Sequence, residues 1–384
     1  MLDLILMNIV LLFYLIKKLI MQIYKYLITV LIMIVFVQFS FAQGCEDPGE
    51  GDGINMFGYI QPTYEYKFLG KDFGFTKDVD ESGFYFQRAR LGVLGNIPYD
   101  FTYYFMMEFS PERGVGINDA FVTYNRFGPY FKISLGLFKS PFSMEQLHAC
   151  HKLYTIHRSK VVDELAGPIR DMGIMFLGGT GDKKLFGLKT KNIIGYQFAI
   201  LNGEGRNIAD ADNRKSYVGR LTLHPFDFIS LGTSYRYSNY PSAVASKNDD
   251  DYGTRTGFDI KLEYSNFIAT AEYIKGKDVG SYTTGGGCSG EPLEIHEGSV
   301  NRSGYYAMLL YKTPWNFEPV VKYETYDPNL DNDNDIQNTV IVGFNYFFNE
   351  WTRLQVNYHY NAEETGQVEH PNDMLLIQVQ AIIK

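Results

Sequence analysis

Residues 99–110 read YDFTYYFMMEFS, and large apolar side chains occupy every second position of this stretch. The odd positions, from Tyr99 to Phe109, are all aromatic or Met, whereas the even positions include Asp100 and Glu108. Successive side chains of a strand point to opposite faces of the sheet. This alternation therefore predicts a β-strand with one apolar face and one mixed, more polar face.

The same two-residue period recurs along most of the chain after residue 53. Counting such segments predicts sixteen strands, at about 55–69, 82–96, 99–110, 117–126, 130–139, 170–179, 185–202, 214–225, 228–240, 254–265, 267–277, 303–313, 316–327, 336–348, 351–361 and 372–383. Strands of soluble sheets usually have about 5–6 residues, whereas a tilted strand that crosses a bilayer needs about 9–11. The predicted lengths favour membrane-spanning strands.

The connections between these strands alternate in length. Short turns lie at 96–98, 127–129, 224–227, 265–266, 313–315 and 349–350, and between them lie long polar loops at 70–81, 111–116, 140–169, 203–213, 241–253, 278–302, 328–335 and 362–371. Short turns on one side and long loops on the other are typical of outer-membrane barrels. A soluble β-sandwich is the alternative, but it has no reason to alternate loop lengths or to place Tyr and Phe at strand ends.

The first 42 residues differ from the rest of the chain. Two apolar runs, Leu4–Ile16 and Tyr26–Val37, are separated by lysines. Read from Met21, near which an alternative start of the chain would lie, the segment has the layout of a secretory signal peptide cleaved after Ala42. The alternative, a two-helix anchor, is disfavoured because both runs are short for a span of about 20 residues. We therefore expect residues 1–42 to be a signal peptide, 43–53 a periplasmic segment and 54–384 the barrel.

Composition argues against three broad classes of protein: helical membrane proteins, nucleic-acid-binding proteins and disulfide-rich domains. The chain has 30 Tyr and 29 Phe, 45% hydrophobic residues and a formal net charge of −9. Its mean hydropathy is only −0.17, which disfavours a helical membrane protein and fits apolar residues that alternate with polar ones. The sequence has no basic stripe of the kind that nucleic-acid-binding proteins use. Its three cysteines are too few for a disulfide framework.

Several short motifs occur in a characteristic order between residue 57 and about residue 227. They are FYFQRARLGVLGNI (84–97), INDAFVTY (117–124), ISLGLFKSPFSMEQL (133–147), RDMGIMFLGG (170–179), FAILNGEG (198–205) and YVGRLTLHPF (217–226). In this order the stretch resembles the phosphate-selective porin O/P family of outer-membrane channels, and beyond residue 227 the pattern is that of barrel strands in general. The chain departs from common barrels in ending Ile-Ile-Lys, and its predicted lumen is not uniformly basic.

The resemblance implies a sixteen-stranded porin in the outer membrane of a Gram-negative-type envelope. It also implies a homotrimer, contact with outer-membrane lipid, small anions or other small solutes as cargo, and a loop after the fifth strand that folds into the barrel. We expect passive diffusion of small hydrophilic solutes through the barrel, and the resemblance also implies a preference for anions such as phosphate. The alternatives are a structural or receptor barrel with an occluded lumen and a barrel hydrolase, although no persuasive Ser/His/acid set is present. We expect no enzymatic activity and no cofactor.

Cationic side chains are the candidates for contact with solutes. Arg88 and Arg90 match the arginines of the family's RxRL-like segment, and the apolar Ala89 and Leu91 occupy the opposite face of the same strand. Arginines that line a wet pore attract anions. The full set of predicted pore-lining or anion-contact residues is Arg88, Arg90, Lys132, Lys139, Arg158, Lys160, Arg220 and Arg236. The alternative is a salt-bridge network in the lumen, with Asp100, Glu108 and Asp119 as partners.

The loop at 140–169 is the longest connection in the chain. It contains His148, Cys150, His151 and His157, but their spacing matches no closed zinc pattern, and we expect no metal. Long ordered loops are usually functional. We therefore expect this loop to narrow the pore, with Lys139, Arg158 and Lys160 at the narrowest point, and an ordinary surface loop is the alternative.

Overall fold

The computed structural model describes residues 53–70, 80–181, 183–185, 188–190, 192–210, 213–239, 252–284, 294–332, 335–364 and 369–383. The predicted signal peptide, nearly all of the segment 43–53, Cys45 and Cys288 lie outside the described residues. In the described part of the chain, no helix has both the length and the apolar character needed to cross a bilayer.

Eighteen strands are described. They are β1 (Ile54–Phe68), β2 (Glu81–Ile97), β3 (Phe101–Glu108), β4 (Gly116–Phe127), β5 (Phe131–Lys139), β6 (Arg170–Gly179), β7 (Lys183–Leu185), β8 (Leu188–Thr190), β9 (Ile194–Leu201), β10 (Ser216–Phe226), β11 (Ile229–Asn239), β12 (Tyr252–Tyr264), β13 (Phe267–Thr284), β14 (Glu294–Tyr311), β15 (Phe317–Asp327), β16 (Gln337–Phe347), β17 (Thr352–Ala362) and β18 (Asp373–Ile383). A short 3-10 turn, Pro111–Arg113, follows β3.

Sixteen of these strands form one closed barrel in which each strand pairs with its barrel neighbour. The pairing is antiparallel throughout, and β18 closes on β1, with Ile60 opposite Ala381. Closure leaves no strand edge with unbonded backbone groups, which is the condition for crossing a bilayer with strands. The predicted fold class and the predicted number of barrel strands are confirmed.

The prediction of one strand over 185–202 is wrong. The barrel strand β9 begins only at Ile194, and β7 and β8 form a separate two-stranded sheet. Pairing between β6 and β9 ends with Gly179 opposite Gly195. Just beyond it, the backbone N–H of Gly181 donates to the Asn192 side chain at 2.8 Å, which turns the chain before the small hairpin. The alternation is interrupted here, because Leu185 and Phe186 are both apolar and residues 189–192 are all polar, and it becomes regular only from Ile194.

The predicted loop 278–302 is also shorter than expected. Strands β13 and β14 continue to pair from Asp278 opposite Val300 up to Thr284 opposite Glu294. The neighbouring strand β12 ends earlier: its pairing with β13 reaches only as far as Lys277. The hairpin therefore extends past the neighbouring strands on the side of the long loops.

The two faces of the barrel wall differ in polarity. Outward side chains are apolar and exposed, as at Leu135, Leu221 and Val342, whereas Gln61 and Gln378 point inward and are fully buried. Exposed aromatic residues form a belt near the short turns and a second belt towards the long loops. The first includes Tyr130, Phe226, Tyr264, Phe267, Trp315 and Phe348, and the second includes Phe84, Tyr235, Tyr305, Tyr323 and Tyr358. Two such belts around an apolar band are typical of outer-membrane barrels.

Replacing Gly136 by Ala is expected to destabilise the barrel by about 1–3 kcal/mol, the usual cost of forcing a side chain into such a backbone conformation. Gly136 has a φ of 136°, and a Cβ atom there would lie 2.2 Å from the carbonyl oxygen of Ala120. Urea unfolding in detergent measures the change. Gly83→Ala is the control because a Cβ at Gly83 meets nothing within 4 Å, and equal midpoints for the two variants would contradict the expectation.

Candidate functional site

The loop between β5 and β6 turns into the barrel. It contains helix α1 (Met144–Leu147), a 3-10 turn (Cys150–Lys152) and helix α2 (Lys160–Leu165). Its two ends are held together where the N–H of Ser140 donates to the carbonyl of Ile169 at 3.0 Å. Ser143 then starts α1 by accepting a hydrogen bond from the N–H of Gln146. We call residues 140–169 the inner loop.

A buried ion pair fixes α1 to the wall. The ammonium of Lys322 on β15 lies 3.0 Å from a carboxylate oxygen of Glu145, and the Lys322 side chain is fully buried. The second carboxylate oxygen of Glu145 accepts the N–H of Ser159 at 2.8 Å. Glu145 therefore holds the two halves of the inner loop to each other and to the barrel. Removing one partner of such a pair leaves an uncompensated buried charge.

A hydrogen-bonded row of side-chain amides lies on the wall beneath the middle of the inner loop. Gln61 donates to Gln380 at 2.7 Å, Gln378 donates to Gln355 at 2.8 Å, and Gln355 donates to Asn345 at 2.6 Å. These residues come from β1, β18, β17 and β16, which are consecutive around the barrel. We call them the amide row. Because its members bond to one another, the row is a rigid surface for the loop.

The backbone of the inner loop binds directly over the amide row. Arg353 on β17 donates to the carbonyls of Leu153 and His151, each at 2.9 Å. In the other direction, the N–H of Ile156 donates to the side-chain oxygen of Asn357 at 2.8 Å. Buried backbone groups that lack sheet partners must be bonded elsewhere, and here the barrel wall supplies those partners.

Two further arginines cap the end of α2. Arg255 donates to the carbonyl of Leu165 at 3.1 Å, and Arg236 donates to the carbonyl of Ala166 at 2.9 Å. The last carbonyls of a helix have no partner within the helix and interact favourably with cations. The Arg236 guanidinium also lies 5.5 Å from the ring centre of Phe142. The inner loop is thus attached to the walls formed by β11, β12, β15, β16 and β17.

The four predicted arginines on the wall all point inward and are buried. Arg88 donates to the side-chain oxygen of Gln61 at 2.9 Å. Arg90 lies 2.6 Å from the carboxylate of Glu108, and Arg220 makes two hydrogen bonds to Asp259, of 2.6 and 2.9 Å. The fourth is Arg236, described above. The Arg90–Glu108 pair is the kind of salt bridge that the sequence predicts as the alternative to contact with anions.

The other two carboxylates named as network partners behave differently. Asp119 is buried and accepts two hydrogen bonds of 3.0 Å from Arg170. Asp100 lies at an exposed turn with a positive φ of 75°. Arg170 was not among the predicted residues, because it stands at the first position of β6, where the alternation gives no clear direction.

The remaining predicted cations are spread over different environments. Lys139 is buried and donates to the carbonyls of Leu147 and His148, so it holds the inner loop. Arg158 is buried and donates to the carbonyl of Glu145 and to the thiol of Cys150, each at 3.3 Å.

Lys160 and Lys132 are less buried. Lys160 is partly exposed and pairs with Glu164 at 3.1 Å. Lys132 is half-buried, and its side chain lies beside the turn at Gly128. Arg158 and Lys160 thus both lie on the inner loop and line the same cavity, whereas Lys139 lies at the end of β5 and Lys132 lies apart from all three.

Sequence reasoning also missed Glu145, Arg255, Lys322 and Arg353. The alternation around Arg353 was available as a signal, because Arg353, Gln355 and Asn357 share one face of β17. No periodicity could have identified Glu145, since it lies in a loop and its partner Lys322 is 177 positions away. Among the described residues, no group of three or more His, Cys, Asp or Glu is arranged to hold a metal ion.

The interior of the barrel carries more cations than carboxylates. Ten Lys and Arg side chains and seven Asp and Glu side chains are buried among the described residues. Several of the cations, such as Arg353, bond to neutral oxygens and not to carboxylates. The buried interior is thus net positive, although the whole chain has a net charge of −9.

The inner loop lies between two cavities. The larger has a volume of about 420 Å³ and is lined by the inner loop and by the ends of β16, β17 and β18 that lead to long loops. Long loops are external in such barrels, so we call it the external vestibule. The smaller cavity, of about 50 Å³, is lined by residues near short turns, such as Lys261 and Met308, and by His148 and Tyr154 of the inner loop.

His148 is neutral in this setting. Burial is the first cause that lowers its pKa, to about 3, and the charges of Lys261 and Lys139 lower it further. A neutral imidazole avoids adding a third positive charge beside these two lysines.

Comparison with known proteins identifies the family. The family model for phosphate-selective porin O and P matches residues 61–286, more than half of the chain. The chain belongs to this family. It is an outer-membrane porin, which confirms the predicted localisation and the predicted passive-diffusion class. The match extends past residue 227, where the sequence had indicated only barrel strands in general.

Solved structures show the same fold. The porin is similar to an anion-selective porin from Comamonas acidovorans, with a TM-score of 0.59, 11% identity, and coverage of 86% of this chain and 99% of that one. It is also similar to the outer-membrane channel DcaP of Acinetobacter baumannii, with a TM-score of 0.58, 13% identity, and coverage of 86% and 97%. Salmonella typhi OmpF in complex with daunomycin gives a TM-score of 0.56 at 13% identity, with coverage of 86% and 97%. No curated protein sequence matches the chain.

Replacing Lys322 by Met is expected to cost about 3–5 kcal/mol, because it leaves the buried Glu145 carboxylate uncompensated. The inner loop should then detach and become accessible to protease within 140–169, which limited proteolysis of the folded barrel measures. Lys312→Met is the control. Lys312 pairs with Glu263 at 3.2 Å, but its side chain is 42% exposed, so its loss should cost less than about 1 kcal/mol. Equal protection in both variants would show that the ion pair does not hold the loop.

Proposed function

We propose that this porin conducts small hydrophilic solutes through a narrow passage whose dimensions are set by the inner loop. The observation that supports this is the attachment of the inner loop, which joins β5 to β6, to β15 and β17 across the barrel, through the Lys322–Glu145 ion pair and through the hydrogen bonds from Arg353 to the loop carbonyls. A sixteen-stranded barrel is wide enough for an aqueous channel. A loop fixed across its interior therefore controls the free cross-section.

We further propose a preference for anions. The support is the excess of buried cations over buried carboxylates in the interior, because charged groups that line a passage raise the local concentration of ions of opposite sign. Arg90 and Arg220 contribute less to this field, since each is paired with a carboxylate. Arg353 contributes more, because its hydrogen-bond partners are neutral oxygens.

A barrel with an occluded lumen is the second candidate. It is favoured by the burial of residues on both the loop and the wall, such as Val161, Ile156 and Gln355. The inner loop also reaches the β1–β2 side, where Arg90 donates to the Cys150 thiol at 3.0 Å. Planar-bilayer recording separates the two candidates: folded protein that inserts and carries no current would favour the occluded barrel.

We also propose that the porin assembles as a homotrimer in contact with outer-membrane lipid and carries no enzymatic activity. Family membership supports a channel over an enzyme, and a structurally similar outer-membrane protein of Vibrio cholerae is described in a trimer form. The apolar outward face of the wall is suited to lipid and to neighbouring copies. Light scattering of the detergent-solubilised protein measures the number of copies, and a monomer would contradict the proposal.

Replacing Arg353 by Gln is expected to lower the anion-to-cation permeability ratio severalfold. A unit charge about 8 Å from an ion in water contributes about 0.5 kcal/mol, with opposite sign for cations and anions. The reversal potential in asymmetric salt measures the ratio. Arg126→Gln makes the same chemical change at an exposed position and should leave the ratio unchanged. A reversal potential unaltered by Arg353→Gln would remove the support for a positive interior as the source of selectivity.

Deleting residues 148–160 is expected to raise single-channel conductance and the size limit for solutes. The deletion removes the segment that binds Arg353 and Asn357, so the amide row should become part of an open wall. Bilayer recording and liposome swelling with sugars of increasing size measure the two effects. Heat-modifiable migration in electrophoresis serves as the control for folding. Conductance that stays at the intact value would place the narrowest point elsewhere.

A further inference from the structure

The external vestibule is a chamber of ligand-binding size on the route into the barrel. Its volume of about 420 Å³ falls within the roughly 300–1,000 Å³ of typical small-molecule sites. The inner loop forms one side, with His157 and Arg158, and the wall forms the other, with Asn338, His359 and Asn372. A solute that enters from outside meets this chamber before it reaches the interior cations.

The vestibule does not present a concentrated positive charge. Two cations, Arg158 and Lys160, and three carboxylates, Asp163, Glu324 and Glu363, line it. Lys160 is paired with Glu164, and the Arg158 guanidinium is bonded to the inner loop itself. A multiply charged anion would therefore meet more carboxylates than cations, and those cations already have partners.

The uncharged groups of the vestibule have hydrogen-bonding capacity left over. His359 is only 4% exposed, and among the described residues its Nε2 has no hydrogen-bond partner. The side-chain oxygen of Asn372 likewise has none within the described part of the chain, although the amide nitrogen of Asn372 donates to Glu363 at 3.2 Å. Buried polar groups left without partners cost free energy, so a ligand that bonds to them is stabilised.

The two unsatisfied atoms differ in what they require. The Asn372 oxygen only accepts, whereas Nε2 of a neutral imidazole donates or accepts according to its tautomer. A hydroxyl group can both donate and accept, so it can bond to either atom. Phosphate offers mainly acceptors and cannot bond well to the Asn372 oxygen. From this chemistry we infer that the external vestibule binds polyhydroxylated neutral solutes, that is, small saccharides, with His359 and Asn372 as the selecting contacts.

This inference rests on the proposed function, because the vestibule has a role as a binding site only if solutes enter the barrel through it. The test measures glucose binding to the full-length folded barrel in detergent by titration calorimetry. His359→Leu removes the hydrogen-bonding ring and should weaken glucose binding about tenfold, as expected for loss of a bond to a buried group. His370→Leu makes the same change at an exposed residue that does not line the vestibule, and it should leave binding unchanged.

Two more variants keep the test decisive. His359→Gln retains a donor and an acceptor and should restore most of the binding lost in His359→Leu. If His359→Leu does not fold, Asn372→Ala removes the second contact and should weaken glucose binding by a similar factor. Glucose affinity that is the same in the unaltered protein and in every folded variant would overturn the inference.

Competing ligands test the solute class. Phosphate and glycine are titrated in the same way, and each should bind more weakly than glucose and be insensitive to His359→Leu. Tighter, His359-dependent binding of phosphate would make the vestibule an anion site, and the same result with glycine would make it a site for zwitterions. Either result overturns the saccharide assignment.

Current recording separates this inference from the proposed function. In the intact porin, external glucose should reduce the current in a concentration-dependent way, and His359→Leu should shift the half-blocking concentration upward about tenfold. Glucose binding without any conductance would defeat the proposed channel and leave the vestibule assignment standing. Normal conductance without glucose binding would defeat the vestibule assignment alone.

Discussion

The constraint on which the rest of the structure depends is that every backbone N–H and C=O inside a bilayer needs a hydrogen-bond partner. Sixteen strands meet this requirement only because β18 pairs with β1 and removes the last open edge. Closure also creates an enclosed interior, and the alternation of side chains then directs every second residue into it. The polarity of the interior and the apolar character of the outer surface follow from the same pairing.

An enclosed interior allows a long loop to be ordered although it has little secondary structure of its own. The inner loop has two helices of only 4 and 6 residues, so most of its backbone groups have no helical or strand partner. The wall provides those partners through Arg353, Asn357, Arg236 and Arg255. Inward-pointing polar residues, which would be costly in a soluble core, are therefore the residues that hold the loop in place.

The same arrangement gives the inward arginines more than one role. Arg90 and Arg220 each pair with a carboxylate, whereas Arg353 donates to two loop carbonyls and to the side-chain oxygen of Gln380, which are all neutral. A residue of the second kind both holds the loop and contributes to the field in the interior. Selectivity and loop position are therefore coupled in this porin, and substitutions at Arg353 are informative when conductance and reversal potential are measured together.

The sequence by itself determined the barrel, the number of its strands and the inward direction of Arg88, Arg90, Arg220 and Arg236, because a period of two fixes which face each side chain occupies. It also identified the family from motifs such as FYFQRARLGVLGNI at 84–97. Only the tertiary structure decided that 185–202 divides between a barrel strand and a small hairpin, since the partner of each strand is set by contacts between separate segments of the chain. Only it could show that Glu145 meets Lys322, that Arg170 meets Asp119 and that His359 faces a vestibule. These pairs are far apart in the chain, and their contact depends on how the closed barrel and the inner loop bring distant residues together, which no local pattern encodes.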